Sequence, residues 1–123
     1  MKRMYLNKRI SSFKYAIKGL HLAWNEPNFI IEVYVALLVL LAGLFFHITH
    51  EEWLVVILTI GIVLAAELFN TALEALCDML RPTHDPHVAK IKDLSAGAVL
   101  AIGITAWIVG IKIFLPYVLV IVR

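Results

Sequence analysis

Glu67-Leu68-Phe69-Asn70-Thr71-Ala72-Leu73-Glu74-Ala75-Leu76-Cys77-Asp78 sets five polar groups inside a hydrophobic run long enough to cross a membrane. Charged groups in such a run are costly and tend to be functional. At about 100° per residue on a helix, Asn70, Thr71, Glu74 and Asp78 fall within roughly 60° of the direction of Glu67. They form one stripe about 16 Å tall. Leu68, Phe69, Leu73, Leu76 and Met79 take the other faces. A polar seam between packed membrane helices accounts for Asn70 and Thr71, which serve well as interhelical glue. It accounts poorly for three carboxylates, which repel one another in low dielectric unless a cation or a hydrogen-bond donor joins them.

The rest of the chain agrees with a membrane setting. Of its 123 residues 62% are hydrophobic and 16% charged, leaving too little polar surface to cover a soluble globule. The mean hydropathy is +0.89. One compact domain, 1–123, fits the length, with no linker, repeat or low-complexity tract. The single cysteine, Cys77, excludes an internal disulfide and a multi-cysteine metal cluster.

Hydropathy places three membrane spans, at about 29–46, 53–80 and 94–115, each near or above the ~20 residues a bilayer requires. The second is longer than the hydrocarbon core, so the turns bearing Glu74 and Asp78 are expected to emerge at the headgroups, and Pro82 stops it. Lys2, Arg3, Lys8, Arg9, Lys14 and Lys18 precede the first span, while Arg81, Lys90 and Lys92 lie between the second and third. Nine of the eleven basic residues therefore put the N-terminus and the second connection in the cytoplasm and the C-terminus outward.

Before the first span, about 9–25 reads as an interfacial amphipathic helix, with Phe13, Ala16, Ile17, Leu20, Ala23 and Trp24 at helical spacing. It lacks the separate apolar core and cleavage site of a secretory signal. Asn25-Glu26-Pro27-Asn28 breaks it, and Pro27 suits the first turn of the next helix. Glu26 favours that helix N-terminus through the dipole, and Glu32 faces the cytoplasmic boundary. At the third span, Lys92-Asp93-Leu94-Ser95-Ala96-Gly97-Ala98 puts two charges before a run of small residues that permits close helix approach.

Glu26, Glu32, Glu67, Asn70, Glu74, Asp78, Lys92 and Asp93 thus lie on three segments expected to converge at one membrane level. Carboxylates with a lysine suit Mg²⁺-bound polyphosphate: oxygens hold the hard cation, the lysine neutralises phosphate, and a further carboxylate orients a nucleophile. The chain contains no P-loop and no protein-kinase signature.

These residues carry a family resemblance. The 67–78 stretch resembles the E-x-x-N-[ST]-[AS]-[IL]-E-x-x-x-D signature of the prokaryotic diacylglycerol kinase and undecaprenol kinase family. Phe13-Lys14-Tyr15, Lys18-Gly19-Leu20, Trp24-Asn25-Glu26 with Phe29 and Glu32, and Ala89 to Asp93 match in order. The resemblance implies an all-α homotrimer in the bacterial cytoplasmic membrane that transfers the γ-phosphate of ATP to a lipid hydroxyl, with sites shared between subunits and no nucleic-acid partner. It implies Glu67 as general base, Glu26 and Glu74 as Mg²⁺ ligands, Lys92 on the ATP phosphates, and Asp93 and Tyr15 near the nucleotide. Asn70, Asp78 and Glu32 are supporting polar positions. The shorter segment before Glu26, His21 where Arg is familiar and Ile31 where Gln is familiar depart from the diacylglycerol kinase pattern, while Gly97 resembles the undecaprenol kinase form; undecaprenol is the expected acceptor, with diacylglycerol as the alternative.

Other features take plainer readings. Thr83-His84-Asp85-Pro86-His87 reads as a solvated turn rather than a metal site, and Trp53 and Trp107 as belt or packing aromatics. A different class of function, an oligomeric ion or proton pathway or an accessory subunit, would also place acids on a stripe. It would need that stripe to continue outward of Glu67, where only Thr59 and Gly61 relieve the apolar sequence.

Overall fold

The computed structural model describes residues 2–80 and 85–123, with side chains from Arg9 onward. The described residues form four helices: α1, Lys2–Ala23; α2, Pro27–Phe46; α3, His50–Leu80; and α4, Pro86–Ile121. The last three are each long and apolar enough to cross a membrane. At 1.5 Å per residue the 31 residues of α3 span about 46 Å and the 36 of α4 about 54 Å, both well beyond a ~30 Å hydrocarbon core. Their excess length carries the polar ends of the hydropathic runs.

The helix ends explain where the boundaries differ from those read by hydropathy. α4 starts at Pro86 rather than near Leu94, because Asp85 caps it: its side chain accepts a 2.8 Å hydrogen bond from the His87 backbone N–H, and Pro86 fills the first turn. Lys90, Lys92 and Asp93 are consequently helical, not part of a loop. The same helix runs through Pro116 to Ile121, where the third span was expected to stop at Leu115. In apolar surroundings a broken helix strands several backbone groups, whereas a tolerated proline strands one carbonyl. The helix α1 begins earlier than expected and ends at Ala23, followed by a turn at Trp24 and Asn25.

α2 ends in a left-handed cap. His47 adopts φ 52°, ψ 50°, while the N–H groups of His47 and Ile48 bond the carbonyls of Leu44 and Gly43 at 3.4 and 3.2 Å. This is the Schellman arrangement that satisfies the last carbonyls of a helix. Two residues later α3 starts with a capping box: Glu52 N–H donates to Thr49 Oγ1 at 3.3 Å and Thr49 N–H donates to Glu52 Oε2 at 2.8 Å. The tight turn lets Trp53 lie directly over Gly43, where a Cβ would come within 2.7 Å of the indole.

Packing is uneven along the bundle. We call the end holding the α2–α3 turn the far end, and the end where α2 and α4 begin and α3 finishes the near end. The contiguous apolar core, Ile48, Val56 and Ile113 with Phe46, Trp53, Phe114 and Tyr117 against it, lies at the far end. There the Tyr117 hydroxyl donates to Glu52 Oε2 at 2.6 Å, joining α4 to the first turn of α3. Between 6 and 17% of the apolar span residues are buried within one chain. Faces this apolar belong against lipid or other helices. On α1, Phe13, Tyr15, Ile17 and Leu20 are all exposed, as are Ala96, Gly97 and Ala98 on α4. At Gly97 in this small-residue run an added Cβ would find nothing within 4 Å among the described residues.

Candidate functional site

The polar stripe of α3 sits in the half of that helix nearer the near end. Glu67 and Asn70, 3% and 7% exposed, are the two buried polar residues among those described. Burying a carboxylate without a compensating cation costs several kcal/mol, about as much as a folded domain can spare at one position. Packing alone does not call for it.

Three further polar residues lie in the same half of the bundle: Asn70, Glu74 and Glu32. The Asn70 amide Nδ2 donates to Glu74 Oε1 at 3.3 Å, one helical turn along α3. Glu32 enters from α2 and is close enough for the charge of Glu67 to act on it. Two buried oxygens in this group, Asn70 Oδ1 and Glu32 Oε2, have no hydrogen-bond donor. Such atoms are rare in folded interiors, and together they form an acceptor-rich site without matching donors. A lipid hydroxyl, a metal ion or a backbone amide of another chain would satisfy them.

One turn beyond Glu74, the Lys92 Nζ of α4 meets Asp78 Oδ1 of α3 at 2.9 Å. Glu74 lies within electrostatic reach of the same ammonium. The expectation that α4 would direct both charges of Lys92-Asp93 into a helix contact holds for Lys92. Asp93 is exposed. Tyr15 is likewise exposed on α1.

Glu26 occupies a different wall. It is the residue before the first turn of α2, with φ −96° and ψ 118°, and its side chain makes no capping bond. It faces a groove of about 690 Å³ between α1 and α3, whose other walls include Gly19, Ala23, Thr71 and Ala75. One chain therefore buries Glu67, bonds Asn70 to Glu74 and pairs Asp78 with Lys92, and leaves Tyr15, Glu26 and Asp93 apart from these pairs. Among the described residues no three His, Cys, Asp or Glu side chains converge as a complete metal site. The donor set is nonetheless all oxygen, with two acceptors unsatisfied, which fits a hard divalent cation that draws its remaining ligands from substrate or a neighbouring chain.

Two arrangements had escaped the sequence reading. The Lys92–Asp78 pair joins residues fourteen apart across a connection, and no local spacing marks it. The Thr49–Glu52 capping box, with Tyr117 as its third partner, is the other. Of the aromatic readings, Trp53 is a packing residue against Gly43, and Trp107 is 76% exposed. In the 83–87 motif, Thr83 and His84 lie outside the described residues, and Asp85 serves as a helix cap. Toward the far end from Glu67, the Thr59 hydroxyl is committed to the Val55 carbonyl at 2.7 Å, so it adds nothing to the polar stripe.

Comparison with known proteins bears on this geometry. The prokaryotic diacylglycerol kinase family matches residues 14–114. The chain is 36% identical over 115 residues to the undecaprenol kinase of Bacillus subtilis, covering 93% of this chain and 94% of that one. It is 38% identical over 107 residues to a diacylglycerol kinase of Synechocystis sp., covering 85% of this chain and 61% of that longer protein.

Proposed function

This chain belongs to the prokaryotic diacylglycerol kinase family and is a lipid kinase, and we propose that it transfers the γ-phosphate of Mg·ATP to the hydroxyl of undecaprenol, with diacylglycerol as the alternative acceptor. The observation that carries this reading is the buried Glu67 beside the Asn70–Glu74 pair, a carboxylate held where no structural partner accounts for it. The acceptor preference rests on the match to the Bacillus protein along nearly the full length of both chains.

In the proposed reaction Glu67 accepts the proton of the lipid hydroxyl as that oxygen attacks the γ-phosphorus. The new O–P bond forms as the bond from the γ-phosphorus to the β,γ-bridging oxygen breaks, and ADP leaves with that oxygen. Burial of Glu67 keeps water from competing for the phosphoryl group. Asn70 orients Glu74 through its amide, and Lys92, with three N–H donors, can keep Asp78 while donating to phosphate oxygens. Glu74 and Glu26 would hold Mg²⁺, which neutralises charge on the phosphates when bound. Tyr15 and Asp93 serve the nucleotide side, where their exposure leaves them accessible.

The assembly proposed is a homotrimer with shared sites. Its support is the incomplete oxygen ligand set of one chain and the exposed small residues of α4. In the proposed orientation the near end faces the cytoplasm, where ATP is available, the C-terminus faces outward, and α1 lies along the cytoplasmic surface of the bacterial inner membrane.

The test is transfer of ³²P from γ-labelled ATP by the purified protein in mixed micelles with Mg²⁺, with undecaprenol and diacylglycerol offered in parallel. Labelled undecaprenyl phosphate is expected. Label on diacylglycerol alone would reverse the acceptor assignment, and no labelled lipid from folded protein would sink the reading.

A further inference from the structure

A single carboxylate oxygen joins three segments at the far end. Glu52 Oε2 accepts the Thr49 backbone N–H at 2.8 Å and the Tyr117 hydroxyl at 2.6 Å. The first bond closes the capping box that starts α3, and the second reaches across to α4. The Tyr117 ring also packs on Phe46 of α2, with centroids 5.9 Å apart. Tyr117 lies beyond residue 114, where the family match ends, so this bond is not part of the matched pattern.

The position of Tyr117 in α4 gives the bond its importance. Pro116 has no N–H to offer the Lys112 carbonyl, so the helix is weakest immediately before Tyr117. Residues 117–121 remain beyond the proline, about one and a half turns of helix. The Tyr117 hydroxyl ties that short segment to the first turn of α3.

The acceptor is titratable. A hydrogen bond to an ionised carboxylate is about twice as strong as a neutral one, and protonation replaces part of the acceptor capacity of the group with a donor. Glu52 is half-buried, so protons reach it. The turn brings exposed His47 and His50 near this end, and α3 brings exposed Glu51. From α4 come Tyr117 and two exposed cations, Lys112, about 140° round the helix from Tyr117, and Arg123, past the helix end. Residues 47–52 contain no Lys or Arg. The bonded partners of the Glu52 carboxylate are thus neutral donors, and its charge is what strengthens both bonds.

We infer that the far end is a proton-operated latch: ionised Glu52 holds the segment of α4 beyond Pro116 against α3, and protonated Glu52 releases it about the proline. The first turn of α3 loses its cap in the same event. In the orientation proposed above, the latch senses the pH of the outer side, opposite the face where phosphate is transferred. The latch itself does not depend on the lipid kinase reading.

The experiment attaches a nitroxide spin label at exposed Val120, through Val120→Cys in a Cys77→Ser background that leaves one thiol, and follows its mobility in detergent micelles by electron paramagnetic resonance. Acidification from about pH 7 to about pH 3 crosses the ordinary glutamate range. Expected is a reversible shortening of the rotational correlation time of the label, by about twofold or more. Tyr117→Phe keeps the ring and removes the hydroxyl, and Glu52→Gln is neutral at every pH. Both should give the fast label already at neutral pH, with no further change on acidification. Adding Pro116→Ala to Tyr117→Phe restores the backbone N–H and should return the slow label. A label at exposed Ile104, on α4 before the proline, should keep its mobility throughout. The latch is overturned by the absence of a transition, by a slow label in either single variant at neutral pH, or by a double variant that stays fast. A transition that survives Glu52→Gln would overturn it by moving the sensor to another group, such as His47 or His50. Equal mobilisation at Ile104 would overturn it as general acid unfolding.

Discussion

Asn70 commits its side-chain amide to Glu74 one turn along α3 and leaves its own carbonyl oxygen buried without a donor. A residue chosen for packing would be satisfied at both ends or replaced by an apolar one, since an unpaired buried carbonyl costs about 1–3 kcal/mol. Half-satisfaction marks a site that waits for another component. In the proposed reaction that component is the phosphate donor with its cation.

Replacing Asn70 tests this directly. Asn70→Ala removes the hold on Glu74 together with the buried oxygen, so stability should change by no more than about 1 kcal/mol. The KM for Mg·ATP is expected to rise about tenfold while the lipid KM stays near wild type. Steady-state kinetics at saturating lipid, with thermal unfolding in the same detergent, separate the two effects. An unchanged nucleotide KM would detach Asn70 from the donor side.

Glu67→Gln keeps the shape and volume of the buried side chain and removes its ability to accept a proton. ATP binding should be retained, while transfer falls by about 10²–10⁴, the range expected for loss of a general base. Nucleotide binding by calorimetry and transfer by label incorporation are the two measurements. Turnover within about tenfold of wild type would remove Glu67 from that role.

Asp78→Asn leaves Lys92 without its carboxylate partner at 2.9 Å. Exposed ion pairs do little for stability, so the melting temperature should hardly move. What is lost is the placement of the ammonium, and the KM for ATP should rise several-fold with recovery in Asp78→Glu. A loss that Glu fails to restore, or one that appears only in kcat, would mean that Asp78 acts other than through Lys92.

A structural prediction concerns the opposite end. In Gly43→Ala the new Cβ would sit 2.7 Å from Trp53 Cη2 and 2.9 Å from Cζ2, too close for any real contact. Overpacking of this kind costs about 1–3 kcal/mol, and the folded fraction should keep its transfer rate because the acid cluster is remote. Thermal unfolding should show a lowered midpoint that a smaller residue at position 53, as in Trp53→Leu, partly restores. An undiminished midpoint would show that the α2–α3 turn yields freely.

The helices and the stripe on α3 were legible because hydropathy and a 3.6-residue period leave direct marks on the chain. Hydropathy failed where helices leave the apolar phase. It saw neither the polar first turns of α4, held by Asp85 and Pro86, nor the passage of that helix through Pro116. The stripe on α3 was legible because its neighbourhood is local, as the Asn70–Glu74 bond one turn apart illustrates. Glu26 was harder: its wall is set by how α1 folds back toward Thr71 and Ala75, which depends on tertiary approach rather than spacing. The pairing of Lys92 with Asp78 rather than Asp93 likewise depends on the angle at which α4 crosses α3.

The far-end core has a mechanical consequence for the whole chain. Ile48, Val56 and Ile113, with the Tyr117–Glu52 bond beside them, act as the rivet of a pair of tweezers whose arms are the long helices. The acids and the lysine lie toward the tips. A rotation about the rivet would be largest at the near end, where the proposed transfer takes place, and would leave the rivet itself intact.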